Sequence, residues 1–137
     1  MTERVAIVTG AAQGIGAAIA TELASDGVKV VVTDINLQGA TSVAARIGGV
    51  AKLLDVSDPA QADAVVAEVV SELGRLDILV NNAGVVPYTP FDDLTIEQWR
   101  RTFAVNGEGL FNMTKAAVEA MKPTGYGRIV NIASNTF

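Results

Sequence analysis

An α/β fold, doubly wound around a parallel sheet in the Rossmann-like manner, is what this sequence predicts, and three observations carry the prediction. Its strand candidates are short apolar runs such as VKVVVTDI, with little alternation, as in strands covered on both faces. They alternate with segments of helical character, which calls for parallel strands joined by right-handed crossovers. Each Gly, Asn, Asp or Ser cluster that could carry chemistry follows a strand candidate, where ligands bind in such sheets.

Five strands are predicted, over residues 5–9, 29–33, 51–54, 78–81 and 128–133, as part of a larger sheet. After the first, Ile15, Ile19 and Leu23 recur every four residues and mark a helix that Gly27 ends. A weaker helical segment covers 37–47 and contains Gly39. The next helix opens on Asp58 as N-cap, with Pro59 first and Gln61 completing a capping box, and Ala62, Val66, Val69 and Leu73 share one face. The last opens at Thr95, with Gln98 three residues on. Leu94 and Trp99 occupy the two positions of a hydrophobic staple there, which makes Trp99 a packing residue. This helix runs on toward Met121, broken or kinked near Gly107 and Gly109, and Pro123 stops it.

The 137 residues are one domain's worth, half of them hydrophobic and only 5% aromatic, so the core is built from Val, Ile, Leu and Ala. No apolar run approaches the 18 residues of a membrane span. A strand beginning at residue 5 leaves no room for a secretory leader, so a soluble cytoplasmic protein is expected. With no Cys and no His, disulfides, the usual zinc ligands, a Cys nucleophile and a Ser-His-Asp triad are excluded, and no metal is expected. A net charge of −5 argues against nucleic acid as a partner. Chemistry falls to carboxylates, hydroxyls, amides, lysines or a bound cofactor.

The first candidate site is TGAAQGIG, Thr9 to Gly16. Gly10, Gly14 and Gly16 permit a tight turn and close backbone approach, and the following helix aims its N–H groups, equivalent to roughly +0.5 charge, at an anion. The spacing G-x-x-x-G-x-G is neither G-x-G-x-x-G nor a Walker loop, and no Gly-Lys-Ser/Thr occurs, which argues against phosphoryl transfer. Such a loop alone is also compatible with a plain strand-to-helix turn. The second candidate is Asp34, which ends VVVTD. A carboxylate there accepts from both hydroxyls of an adenosine ribose and repels a 2′-phosphate. None of Ala11, Ala12, Gln13, Ile35 and Asn36 is basic, which favours NAD over NADP. Capping of the next helix is the other role open to Asp34.

Together these two resemble the short-chain dehydrogenase/reductase family, whose fingerprint Thr-Gly-x-x-x-Gly-x-Gly is matched by Thr9 to Gly16, with Gln13 and Ile15 inside it. Three further stretches, in order over essentially the whole chain, agree. LDVSD sets Asp55 and Val56 where the family contacts adenine. NNAG, containing Asn82, Ala83 and Gly84, matches the motif that supports the sheet and borders the cofactor. WRRTFAVNGEGLF sets Asn106 at the family's helix-embedded catalytic asparagine, and IVNIAS sets Ser134 at its catalytic serine. Each residue also has an ordinary reading as a cap, turn or loop residue.

The resemblance implies hydride exchange between NAD(H) and a secondary alcohol or ketone, a small-molecule substrate bordered by Val85, Val86, Pro87, Tyr88 and residues 135–137 and therefore partly apolar. It implies a tyrosine acid/base with a lysine four residues later, a serine bonded to the substrate oxygen, and an asparagine holding a relay water. Tyr88 is followed at that spacing by Asp92 and Tyr126 by Val130, so neither supplies the pair. In the family it lies beyond the position of Phe137. The expectation is the N-terminal, cofactor-binding part of one Rossmann-like domain, inactive alone and a homo-oligomer when complete. A non-catalytic dinucleotide-binding or interaction module, or half of a split enzyme, are the alternatives.

Overall fold

The structure is a computed structural model that describes residues 3–134. One five-stranded sheet runs β3-β2-β1-β4-β5, all parallel. The strands are β1 (Val5–Thr9), β2 (Lys29–Asp34), β3 (Val50–Leu53), β4 (Ile78–Asn81) and β5 (Arg128–Asn131). Strand order reverses direction between β1 and β4, which opens a crevice at the carboxyl ends of those strands.

Successive β residues point to opposite faces, and the two faces carry separate cores. On one, Val8, Val30, Val32 and Val80 pack with Ala20 of α1 (Gly14–Ser25) and with Ala40, Val43 and Ala44 of α2 (Leu37–Ile47). On the other, Val5, Ile7, Val31 and Leu79 meet Val65, Val66 and Val69 of α3 (Pro59–Leu73) and Met113, Ala117 and Met121 of α5 (Leu110–Met121). Before α5 the chain forms α4 (Ile96–Phe103) and a π-helical segment (Ala104–Gly109) without leaving the helix. That segment is the interruption anticipated near Gly107 and Gly109. Among the described residues no helix is long and apolar enough to cross a membrane.

Several details depart from the sequence reading. β5 stops at Asn131 rather than Ala133 because β4, its partner, ends at Asn81; one further bond, Ile132 N–H to Asn81 O at 3.0 Å, closes the ladder. β2 runs one residue further, to Asp34, and β3 is shifted back by one. In α1 the fully buried residues are Gly16 and Ala20, whose small size lets the helix lie close to the sheet; Ile19 and Leu23 pack half-buried against the same core, and Ile15 is exposed. The Asp58 side chain caps α3 at the N–H groups of Ala60 and Gln61, but Gln61 does not close the expected box. Its Oε1 accepts from the N–H of Asp55 instead, while Asp58 N–H donates to Asp55 O. The box at Thr95 and Gln98 is complete. Trp99 does pack, on Phe103 with ring centroids 4.6 Å apart, but it does so at the surface, 51% exposed.

At the opposite end of the sheet from the crevice, Asp77 is fully buried. Its carboxylate accepts from the N–H of Val5 at 2.9 Å and from Arg75 at 2.8 and 2.6 Å. Burial pushes its pKa up, but the Arg75 guanidinium and the Val5 N–H outweigh that, and the net shift is downward. Asp77 therefore contributes stability above its unfolded pKa and loses it as pH falls through the lower folded value. Asp77→Asn is expected to cost about 2 kcal/mol at neutral pH, a hydrogen bond to a charged group being worth ~1.5–3 kcal/mol. Denaturant titrations should show the native chain losing part of that advantage below about pH 4 and the variant lacking that loss. Equal stability at pH 7 would refute the assignment.

Candidate functional site

The glycine loop is held to the end of β4 and the residues after it through the side chains of Thr9 and Asn82. Thr9 Oγ1 accepts from the N–H groups of Asn82 and Ala83, both at 3.0 Å, and donates to Val80 O, which uses its whole bonding capacity. Asn82 Nδ2 returns bonds to the carbonyls of Thr9 and Gly10 at 3.0 and 3.1 Å. Contact this close leaves no room for side chains: a Cβ on Gly16 would lie 2.5 Å from both Asn82 Nδ2 and Gly10 O. Gly14, at φ +56°, turns the chain into α1. Side chains cap α2, α3 and α4 at Asn36, Asp58 and Thr95, whereas Gln13 makes no such bond to α1. Among the described residues, the first turn of α1 thus presents N–H groups that no side chain caps, a fit for an anion such as a pyrophosphate.

Beside the loop, Asp34 is fixed by two backbone donors, Ala12 N–H at 3.1 Å on Oδ2 and Asn36 N–H at 2.9 Å on Oδ1. Each oxygen keeps acceptor capacity for a further donor. The cap of α2 is Asn36, not Asp34, with its Oδ1 accepting from Gly39 N–H at 3.0 Å. Gly39 is required by proximity, since a Cβ there would stand 2.9 Å from Ala12 Cβ.

One strand further out, Leu54 N–H donates to Asp34 O, and Asp55 comes directly after it. Asp55 Oδ1 accepts from the hydroxyl and N–H of Ser57 at 2.6 and 3.0 Å, and Oδ2 faces Arg101 Nη1 at 3.3 Å. The Ser57 hydroxyl first, then its N–H and Arg101, hold Asp55 below the usual carboxylate range against partial burial. The helix supports this loop from beneath: Asn112 Nδ2 donates to Val56 O at 3.0 Å, and a Cβ on Gly109 would stand 2.5 Å from Val56 Cγ2. Gly107 has open space around it. Gly109→Ala should therefore destabilise, by ~1–3 kcal/mol as overpacking does. Gly107→Ala should be neutral or stabilising by roughly 0.5–1 kcal/mol. Thermal melts of the two variants check the contrast, and equal losses would refute it.

On the other side of the crevice, Asn81 and Asn131 pair in register, and Asn81 Nδ2 donates to Asn131 Oδ1 at 2.9 Å and to Thr114 Oγ1 of α5 at 3.1 Å. This fork fixes the end of β5, and exposed Ser134 lies three residues beyond it. Asn106, inside the π segment, grips Val85 with both halves of its amide: Oδ1 accepts from Val85 N–H and Nδ2 donates to Val85 O, each at 2.8 Å. Gly84 lies against it, an added Cβ falling 3.5 Å from Asn106 Oδ1. A groove of about 360 Å³ runs between Val85, Val86 and Pro87 and the α4 residues Gln98, Arg101 and Thr102. Tyr88 is exposed, and residues 135–137, also expected at the pocket, lie outside those described. Thr9 stands in the sequence fingerprint, but Arg101, Asn112 and Thr114 were not singled out by sequence reasoning. Among the described residues no group of acidic side chains could hold a metal ion.

Residues 4–136 match the family model described as short chain dehydrogenase. The chain belongs to that family. Among curated short chain dehydrogenase relatives and similar proteins, it is 43% identical over 136 residues to D-threitol dehydrogenase of Mycolicibacterium smegmatis, covering 96% of this chain and 52% of that one. It is 44% identical over 137 residues to galactitol 2-dehydrogenase of Agrobacterium fabrum, covering 98% and 54%. A solved structure of gluconate 5-dehydrogenase from Burkholderia cenocepacia, in complex with NADP and tartrate, superposes with a TM-score of 0.89 at 34% identity, covering 98% and 55%. The chain spans about half the length of these short chain dehydrogenase relatives.

Proposed function

We propose that this chain is the NAD-binding part of an oxidoreductase that moves a hydride between NAD(H) and a secondary alcohol or ketone. The observation that carries the NAD preference is Asp34, clamped by Ala12 N–H and Asn36 N–H so that its charge faces the site where a 2′-phosphate would lie. The neighbouring Ala11, Ala12, Gln13, Ile35 and Asn36 offer no cation to offset that charge. When bound, a nicotinamide dinucleotide supplies the hydride donor or acceptor. Gly10, Gly14 and Gly16 admit its pyrophosphate, and Asn82, Ala83 and Gly84 border it. Ser134 donates to the substrate oxygen, and Asn106 holds the π segment to the strand exit beside it. Supported by the names of the relatives, the substrate is a polyol or its ketose.

The proton acid/base, a tyrosine with a lysine four residues on, belongs to sequence beyond residue 137 in this reading, so these residues alone bind cofactor without turnover. The exposed apolar residues Val130 of β5, Ile132 just beyond it, Trp99 and Phe103 of α4 and Phe111 of α5 support association with further protein, in a dimer or tetramer of the complete enzyme. Asp34→Ala should weaken NAD binding roughly ten- to a hundredfold, a hydrogen bond to an ionised group contributing about 1.5–3 kcal/mol. Calorimetric titration with NAD and NADP checks it. Tighter NADP binding by the native chain would overturn the NAD assignment.

A further inference from the structure

We propose that Arg101 is a positioning residue that orients Asp55 toward the amino group of adenine, and that it thereby sets the base preference of the dinucleotide site. The inference rests on the NAD reading above. Crossing the sheet from β1 to β3 passes the glycine loop, then the clamped Asp34, then Asp55. Two strand spacings separate the first from the last, about 10 Å, which is the reach from a phosphate to the far side of an adenosine. The family resemblance sets the adenine contact at Asp55, and that reach from the glycine loop is consistent with it; an ionised carboxylate only accepts hydrogen bonds. The 6-amino group of adenine donates one; the 6-carbonyl of hypoxanthine cannot.

What remains is which oxygen is free and what aims it. Oδ1 already accepts from both the hydroxyl and the N–H of Ser57. Oδ2 is approached among the described residues by one side chain, Arg101, at 3.3 Å, and it keeps a lone pair. The same Nη1 donates to Ser57 Oγ at 3.0 Å, so Arg101, Ser57 and Asp55 close a ring in which each contact restrains the carboxylate plane. Arg101 contributes little packing of its own, its side chain being 47% exposed. Its position comes from α4, while Gly109, the last residue of the π segment, and Asn112, in α5, support the same loop at Val56. Removing the guanidinium leaves that scaffold in place and frees the Oδ2 side of the carboxylate.

The test titrates the full chain with NAD, with its hypoxanthine analogue and with nicotinamide mononucleotide, comparing native protein with Arg101→Met, Arg101→Lys and Ser57→Ala. Native protein should prefer NAD over the hypoxanthine analogue by about tenfold or more, the worth of one hydrogen bond to a charged acceptor. Arg101→Met should reduce that preference below about threefold and leave the mononucleotide affinity within about twofold. Arg101→Lys should retain part of the preference because it restores the charge beside Oδ2 without the planar group that restrains the carboxylate. Ser57→Ala, which opens the ring elsewhere, should lower it too. Full base preference in Arg101→Met would overturn the proposal, and so would a native protein that binds both dinucleotides equally. Failure of native protein to bind any dinucleotide would refute the NAD reading itself, and this inference with it.

Discussion

Gly16→Ala is expected to lower dinucleotide affinity by about a hundredfold or more, with the strands and helices retained. The added methyl would stand 2.5 Å from Gly10 O and from Asn82 Nδ2 and 2.9 Å from Ala11 Cα. Two of these neighbours are backbone and cannot rotate away. The third, the Asn82 amide, ties the loop to β4 through the carbonyls of Thr9 and Gly10. Relief therefore means moving the loop off β4. The turn that faces the phosphates moves with it, and a displacement of about 1 Å at such a site costs about 10²-fold. Circular dichroism should be close to native while titration with NAD loses its signal. Near-native affinity would mean that the loop does not hold the cofactor.

Ser134→Ala, made in a protein of the relatives' full length, is expected to reduce turnover by about 10²–10³ with cofactor affinity nearly unchanged, as for loss of one oriented donor to a reacting oxygen. The fork from Asn81 to Asn131 and Thr114 holds the end of β5, three residues before Ser134. Steady-state rates with a polyol substrate, beside NAD titration, separate the two quantities. Normal turnover would remove Ser134 from the chemistry.

The doubly wound sheet was legible because its signals are local. Continuous Val and Ile runs mark strands buried on both faces, and glycines with Asp34 mark their exits. Less legible were features that depend on a partner distant in sequence. Gln61 stands at the capping-box position, but the nearby N–H of Asp55 competes for its oxygen and wins. Ile15, Ile19 and Leu23 keep a helical period, and Ile19 and Leu23 do pack against the core, yet the fully buried positions are Gly16 and Ala20, since only small side chains permit that approach. Trp99 satisfies a staple pattern and still lies half in solvent beside Phe103. Among the site residues, Asp34 and the glycines announce themselves by type and spacing. Arg101 does not, because an arginine after another arginine on a polar helix reads as a solvated face until the loop it touches is known. Asn106 lies between these cases: its type and place were visible, but the amide grip on Val85 was not.

The π segment makes residue count, rather than residue identity, the quantity under constraint in the long helix. Its wide turn absorbs one extra residue while α4 and α5 keep their phase, whereas deleting one residue from the α-helical turns between Arg101 and Asn112 would turn α4 by about 100° relative to α5. Arg101 would then swing away from Asp55 while Asn112 stayed beneath Val56, and the two supports of one loop would be out of phase. Substitutions at an open position such as Gly107 leave that phase intact. Length polymorphism in this stretch should accordingly be far rarer than sequence variation, a pattern that a deletion scan alongside an alanine scan would reveal.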